Sequence, residues 1–318
     1  MDPKTVGMSA RPPRSAAALL AALALILISS MPAGASVRQH RVHAKHASKV
    51  ARWKAGPSRR HGRRHGGHHG SQPGSGVNST GSTPAGTGNA QAANATEDPK
   101  FGVFTDDSPY GGNVDSIDAL QSKLGRHIDI VNWYQQWADG GWTKDFHAEV
   151  LGAVTGSGRT PLLTWEPWDP AAGADQPQFR LRKIADGDFD AYMGQWADAL
   201  RDAGTDVYLR PMHEMNGNWY PWGATIGDNT PDLYIKAWRH MHDVFAAHGA
   251  DNVKFVWCPV PFSVPAKPGN ELEDYYPGTR YVDILSLDGY NWGSDHPDWG
   301  GWQSFESVFG AAYKRLTK

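Results

Sequence analysis

Residues Leu209–Gly223 read LRPMHEMNGNWYPWG, and this stretch decides how the rest of the chain is interpreted. A short apolar run leads to a carboxylate, Glu214, and then to a loop rich in glycine and tryptophan. Glycosidic bonds break when a carboxylic acid protonates the leaving oxygen, and aromatic rings stack on the C–H faces of pyranoses. The pattern therefore predicts that Glu214 is a proton donor, with His213 and Asn216 as polar contacts around it. The alternative is a loop whose tryptophans only pack and whose glutamate is solvated.

Residues Arg210–Trp222 fit the pattern R-P-x-H-E-x-N-G-x-W-x-x-W. This pattern resembles the strand-four signature of glycoside hydrolase family 26, the β-mannanase family. The resemblance implies that Glu214 is the general acid/base and that His213 and Trp219 line the site. It also implies a (β/α)8 barrel in which the acid/base follows the fourth strand.

From Lys100 onward, short apolar runs alternate with segments of helical periodicity, which predicts an α/β fold with a parallel sheet. The predicted strands are Phe101–Thr105, Ile128–Trp133, Pro161–Trp165, Val207–Met212, Val253–Trp257 and Tyr281–Leu287. The predicted helices are Ser116–Leu124, Asp188–Ala203, Thr230–Gly249 and Ser304–Leu316. Polar and aromatic residues collect just after the strands, where a (β/α)8 enzyme has its active site. Residues 99–318 are therefore predicted to form a TIM-barrel type of α/β domain.

The candidates for substrate binding are His213, Asn216 and further residues at the predicted strand ends. The predicted sugar platforms are tryptophans that lie at or just past a strand end beside polar residues, namely Trp165, Trp219 and Trp292. Glu166 and Asp288 could serve as the second catalytic carboxylate, but the favoured prediction is that they bind sugar hydroxyls or support neighbouring side chains. Tyr290 matches the family tyrosine that contacts the nucleophile, so the resemblance places it in the site.

A retaining glycosidase needs a second carboxylate about 5–5.5 Å from the first, which acts as the nucleophile. The family resemblance implies that this residue is a glutamate at the end of a seventh strand. The pattern predicts six strands, and residues 99–318 are fewer than the roughly 250 typical of such a barrel. We therefore expect a barrel truncated after strand six and its helix, with strands seven and eight and the nucleophile beyond Lys318. Such a chain is expected to be a fragment of a longer gene product, or inactive as written.

The N-terminal part differs from the predicted domain in composition. Residues 1–35 are predicted to be a secretory signal peptide, because Arg11 and Arg14 precede an apolar core and small residues follow it. Residues 36–98 are first basic and His-rich and then rich in Gly, Ser and Thr, which predicts a disordered linker. We therefore expect a secreted, extracellular protein whose basic linker touches an anionic cell wall or nothing at all.

Composition and spacing narrow the function classes. The 14 tryptophans favour ligands that stack on rings. The net charge of −2 combines a basic N-terminal part with an acidic domain, which does not fit an enzyme of nucleic acids. Gly217 stands where a zinc protease has its second histidine, which excludes that class. Nothing in the pattern requires a metal or an organic cofactor.

The favoured interpretation is a secreted, monomeric, retaining endo-hydrolase of β-mannan. Other β-glycans stay open as substrates, because the resembling family also includes β-1,3-xylanases and mixed-linkage glucanases. The rival from a different class is a non-catalytic protein that binds polysaccharide with the same aromatic residues. Affinity for glycan without hydrolysis would distinguish that rival from an enzyme.

Overall fold

The computed structural model describes residues 99–140, 142–294, 297 and 300–318. The predicted signal peptide (1–35) and linker (36–98) lie outside the described residues, so both stay predictions. Among the described residues, no helix combines the length and the apolar composition that crossing a bilayer requires.

Six parallel strands form one sheet, and their order in the sheet is their order along the chain. They are β1 (Gly102–Val103), β2 (Ile130–Gln136), β5 (Thr160–Glu166), β6 (Val207–Pro211), β7 (Val253–Trp257) and β8 (Ile284–Leu285). Each corresponds to a predicted strand, although β1 and β8 are shorter than predicted. Parallel neighbours in chain order, with helices between most of them, are the arrangement of a (β/α)8 barrel, which confirms the predicted fold class.

The helices are α1 (Asp115–Leu124), α2 (Ala148–Gly156), α3 (Leu181–Ala185), α4 (Asp190–Asp202), α5 (Pro231–Ala247) and α6 (Phe305–Leu316). Four correspond to predicted helices, and two of these begin at side-chain caps. Thr230 Oγ1 accepts a hydrogen bond from the Leu233 amide before α5, and Ser304 Oγ accepts one from the Ser307 amide before α6. The sequence pattern does not predict α2, α3 or the small antiparallel pair β3 (Ala138–Asp139) and β4 (Trp142–Thr143).

The alternation of side chains along the strands divides the sheet residues into two sets. One set packs with the helices in the larger hydrophobic core and includes Leu163, Trp165, Leu209 and Phe255. The other forms a small cluster from the strands alone: Ile130, Leu162, Tyr208, Val256 and Ile284. We call the side of the sheet that carries this small cluster the inner face. Both sides of the sheet are therefore buried, as is typical of parallel sheets in α/β proteins.

Candidate active site

The polar side chains of the strands lie on the inner face, toward the C-terminal ends of the strands. Those that come two residues after a member of the small cluster share its face: Asn132, Thr164, Arg210 and Cys258. The Arg210 Nε donates to Thr164 Oγ1 at 2.9 Å, and Thr164 Oγ1 donates to Asn132 Oδ1 at 2.8 Å. Three neighbouring strands are thereby joined through buried hydrogen bonds, which positions the arginine beneath the site.

Arg210 is almost fully buried, and its guanidinium connects several walls of the site. Its Nη1 lies 3.4 Å from Asp288 Oδ2 and 3.8 Å from Cys258 Sγ, while Nη2 donates to the Tyr134 hydroxyl at 3.5 Å. Asp288 is buried as well. A buried carboxylate is stable in its charged form only beside a partner charge, which Arg210 provides.

The chain turns sharply between the end of β6 and Glu214. Met212 and Glu214 both adopt the left-handed conformation, with φ of 45° and 56°. The Glu214 amide donates to the carbonyl of Cys258 at 2.7 Å, and the Tyr234 hydroxyl donates to the carbonyl of Met212 at 3.1 Å. These bonds hold the turn in place at the C-terminal end of the sheet.

The Glu214 side chain is only 5% exposed, and its neighbours are residues that the sequence analysis singles out. Trp219 Nε1 donates to Glu214 Oε2 at 2.7 Å. One side-chain atom each of His213, Glu214 and Asp288 lie within 4.8 Å of one another. The structure therefore brings together Glu214, His213 and Trp219 as neighbours and adds Asp288 to them.

Burial and the adjacent Asp288 carboxylate raise the pKa of Glu214 well above its usual range, because both disfavour a second negative charge. The Trp219 hydrogen bond and the Arg210 charge lower the pKa of Glu214 but do not cancel that rise. Burial raises the pKa of Asp288 as well, and the Arg210 charge and a hydrogen bond from Glu214 counteract that rise in part. Glu214 is accordingly the group of this pair that keeps a proton. A carboxyl group that holds its proton is what general-acid catalysis requires.

Glu166 occupies a second buried position on the inner face, at the end of β5. Gln136 Nε2 donates to Glu166 Oε2 at 2.8 Å. Burial raises the pKa of Glu166 to about 7. The site therefore contains, besides Glu214, a carboxyl group that changes charge near neutral pH and is held by an amide from the neighbouring strand.

Gly217 explains why the motif places a glycine two residues before a tryptophan. A Cβ at this position would lie 2.4 Å from the Trp219 ring. The indole thus packs directly over the backbone of residue 217, which directs its N–H toward Glu214. The glycine is a condition for the Trp219–Glu214 hydrogen bond.

Replacing Gly217 by alanine is expected to displace the Trp219 indole and to lower the free energy of unfolding by about 1–3 kcal/mol, the usual effect of overpacking. Urea unfolding and tryptophan emission would measure both consequences. Gly152→Ala in α2 is the matched control, because nothing lies within 4 Å of its added methyl group. An unchanged stability and emission spectrum for Gly217→Ala would contradict this account.

The side-chain amide of Asn216 is enclosed in the protein and bonded to another loop, so its predicted role as a substrate-binding residue is wrong. Asn216 is fully buried, and its amide exchanges two hydrogen bonds with the backbone of Val260, each of 2.9 Å. Its Nδ2 also lies 3.1 Å from Ser263 Oγ. Asn216 instead ties the loop after β6 to the loop after β7.

Trp165 is predicted to be a sugar platform, but the structure places it elsewhere. It precedes Glu166 by one residue, so the two side chains point to opposite sides of the sheet. The Trp165 ring is fully buried against the helices, with centroids 5.3 Å from Trp196 and 5.8 Å from Phe245. A ring enclosed in the larger core cannot stack on a sugar, so this prediction is wrong.

Tyr290 and Trp292 follow β8 and are partly exposed. Their rings stack, with centroids 5.2 Å apart and planes 27° apart. Tyr290 also interacts with the Asp288 carboxylate. Both rings are partly exposed, and their predicted contact with substrate stays a prediction.

The sequence analysis does not single out two aromatic residues that surround His213. The His213 ring lies 4.8 Å from the Tyr220 ring and 5.9 Å from the Tyr134 ring, measured between centroids. Tyr220 stacks in turn on Trp222 at 4.4 Å. Tyr134 could have been found from its register, because it lies four residues after Ile130 and shares the inner face.

His213, Glu214 and Asp288 are also the described residues whose arrangement could hold a metal ion. The charge of Arg210, 3.4 Å from Asp288, opposes a bound cation at this position. The raised pKa of Glu214 opposes it further, since a metal ligand must lose its proton. These groups fit proton transfer better than metal binding.

A carboxylic acid with a donor tryptophan, just after the fourth strand of a parallel sheet, fits a glycosidase type of site. The family model for glycosyl hydrolase family 26 matches residues 106–315. The chain belongs to this family, which confirms the resemblance carried by Arg210–Trp222.

Two relatives show how far the similarity extends. The chain is 38% identical over 224 residues to endoglucanase H of Acetivibrio thermocellus, covering 68% of this chain and 22% of that protein. It is 36% identical over 191 residues to mannan endo-1,4-beta-mannosidase A and B of Caldalkalibacillus mannanilyticus, covering 57% and 33%. The chain thus spans a third or less of the length of these two relatives. The solved YdhT protein of Bacillus subtilis is 23% identical with a TM-score of 0.49, covering 69% of this chain and 67% of its own.

Proposed function

We propose that this protein is a secreted endo-hydrolase of β-linked polysaccharide, with β-mannan as its substrate and Glu214 as its general acid/base. The observation that carries the proposal is the proton-holding Glu214 carboxyl, which accepts a hydrogen bond from Trp219 at 2.7 Å and adjoins Asp288. Mannan endo-1,4-beta-mannosidase A and B, a relative in the same family, supports the choice of mannan.

In the proposed reaction, Glu214 donates its proton to the glycosidic oxygen as the bond to the anomeric carbon breaks. A nucleophilic carboxylate forms the glycosyl ester, and Glu214, now a base, activates the water that hydrolyses it. The proposed nucleophile is the glutamate that the family resemblance implies at the end of a seventh strand. His213, Tyr290, Glu166 and the partly exposed rings of Trp219 and Trp292 are proposed to bind the sugars.

The test is hydrolysis of linear β-mannan by the full-length gene product. Reducing-sugar release should show internal cleavage, and proton NMR of the first products should show retention of the β-anomer. First products with the α-configuration would refute the retaining mechanism. Measurable affinity for mannan in gel electrophoresis, without product on prolonged incubation, would favour the non-catalytic binding protein instead.

A second candidate substrate is a β-glucan. Endoglucanase H aligns with more of this chain, 68% against 57%, and at slightly higher identity than the mannosidase does. Lichenan and β-1,3-xylan in the same assay distinguish the candidates. A kcat/KM higher on lichenan than on mannan would replace mannan by mixed-linkage glucan without changing the role of Glu214.

The pH profile of hydrolysis should respond to the two neighbours of Glu214 in opposite directions. The acid must be protonated, so activity falls as pH rises through the pKa of Glu214. Asp288→Asn removes a charge that raises this pKa, so the alkaline limb of kcat/KM should move to lower pH. Trp219→Phe removes a hydrogen bond that lowers this pKa, so the limb should move to higher pH.

The control for these profiles is Asp202→Asn, an exposed carboxylate at the end of α4 that pairs with Arg201. Its alkaline limb should coincide with that of the unmodified protein. Shifts of the same sign for Asp288→Asn and Trp219→Phe would show that another group controls the limb.

We further propose that residues 1–35 direct export and that the protein acts outside the cell as a monomer, with the basic linker (36–98) in electrostatic contact with the cell wall. Sequencing the N-terminus of protein recovered from the culture medium tests the first point. A mature N-terminus within residues 1–10 would refute cleavage after the small residues near position 35.

A further inference from the structure

The loop that follows β7 exposes an aromatic ring, and its backbone is hydrogen-bonded to the loop that carries the acid. Phe262 is 55% exposed, and Val264 beside it is 39% exposed. Single exposed apolar residues are common on protein surfaces and need no explanation by themselves. What distinguishes Phe262 is the way in which the backbone on both sides of it is held.

On one side of Phe262, Val260 exchanges two hydrogen bonds with the buried Asn216 amide. On the other side, the Ser263 hydroxyl lies 3.1 Å from Asn216 Nδ2, and the Val264 amide donates to the Asn216 carbonyl at 2.9 Å. Residues 260–264 are therefore held by one asparagine through its side chain and its backbone. The backbone that carries the exposed ring is therefore held in a defined position.

A second asparagine closes the same loop. Asn270 is fully buried, and its Nδ2 donates to the carbonyl of Pro265 at 2.9 Å and to that of Asn216 at 3.1 Å. Its Oδ1 accepts a hydrogen bond from Tyr275. Buried amides of this kind stabilise one loop conformation, because each broken bond would leave a buried polar group unsatisfied.

The same contacts fix the loop relative to the acid. Asn216 is two residues after Glu214, and the Glu214 amide itself donates to Cys258, which begins the loop after β7. The segment that carries the proton donor and the segment that carries Phe262 are therefore one hydrogen-bonded unit. Movement of Phe262 relative to Glu214 would require breaking several buried bonds.

We propose that Phe262, together with Val264, is a sugar platform for the polysaccharide unit on the leaving-group side of the scissile bond. The inference rests on the proposed function and extends it to a residue outside the family motif. A general acid contacts the oxygen of the leaving group. The loop that carries Phe262 is hydrogen-bonded to the loop of the acid, so we expect it to flank the leaving-group half of the substrate. The Phe262 ring offers an apolar face to the C–H groups of a β-linked hexopyranose, as aromatic side chains do in sugar sites.

The test compares two substrates that differ in what they place on the leaving-group side. Mannohexaose places sugar units there, whereas 4-nitrophenyl β-mannobioside places only the nitrophenyl group. Phe262→Ala should lower kcat/KM on mannohexaose about three- to tenfold, which corresponds to one stacking contact. It should leave kcat/KM on the aryl glycoside within twofold, and Phe262→Tyr should behave as the unmodified protein on both.

Tyr313→Ala is the matched control, an aromatic residue 48% exposed on α6 whose loss should change neither substrate. Equal losses on both substrates for Phe262→Ala, or no loss on mannohexaose, would overturn the platform. Thermal unfolding of each variant separates a folding defect, which would lower both rates together, from a binding defect.

Failure of the proposed function is distinguishable from failure of the platform. If the protein hydrolyses no β-glycan, the proposed function fails, and the platform is then tested by calorimetric titration with mannohexaose. Weaker binding by Phe262→Ala than by Tyr313→Ala would support the platform in that case. Equal binding by the two variants would overturn it.

Discussion

Replacing Glu214 by glutamine is expected to reduce hydrolysis of mannan by about 10²–10⁴-fold, the usual contribution of a general acid. Glutamine keeps the size of the side chain and an oxygen that accepts the Trp219 N–H, but it has no proton to donate. Glu214→Ala should abolish hydrolysis of mannan as well. Reducing-sugar release by the full-length gene product measures both variants.

An activated substrate separates proton donation from other roles of Glu214. The dinitrophenolate group of a dinitrophenyl glycoside leaves without needing a proton, so formation of the glycosyl ester should proceed in Glu214→Gln. Hydrolysis of that ester should be slower than in the unmodified protein, because it needs Glu214 as a base. Glu306→Gln, an exposed carboxylate on α6, serves as the control and should retain full activity. Undiminished release of sugar from mannan by Glu214→Gln would refute the assignment.

Replacing Arg210 by methionine is expected to lower the free energy of unfolding by about 3–5 kcal/mol, because it leaves Asp288 buried without its charge partner. Hydrogen bonds to Thr164 and Tyr134 are lost at the same time. Arg210→Lys should not restore stability, because an ammonium group lacks the planar set of N–H donors with which the guanidinium contacts several partners at once. Urea unfolding followed by circular dichroism measures the change.

Arg182→Met provides the contrast for this prediction. Arg182 is exposed, and its ion pair with Asp228 at 3.8 Å is of the kind that contributes at most about 1 kcal/mol. The two arginine variants should therefore differ severalfold in their effect. A loss below 1 kcal/mol for Arg210→Met would mean that Asp288 is neutral in the folded protein.

Much of the fold follows from patterns that are local in the sequence. The six strands and four of the helices have clear periodicity, and caps such as Thr230 mark where helices begin. The helix α2 (Ala148–Gly156) is not predicted, because glycines and a β-branched threonine weaken its helical pattern. The short pair β3 and β4 has too few residues to show alternation.

The errors at the site have two different causes. Trp165 is assigned to the wrong side of the sheet because the prediction rests on its place at a strand end. The alternation of side chains puts it on the side opposite Glu166, the next residue. Asn216 is misassigned because its partner Val260 lies 44 residues further along the chain. No local pattern reveals a contact of that kind, whereas the first error could have been avoided by counting residues.

Met212 and Glu214 have left-handed backbone angles, which are unfavourable for these residue types although the site needs Glu214 at its position. Glycine and asparagine accept such dihedral angles more readily than glutamate or methionine do. Directed evolution that selects for heat resistance alone should therefore recover replacements at these two positions. Variants replaced at position 214 would be catalytically inactive. Any campaign to make this protein more heat-resistant needs an activity screen in every round.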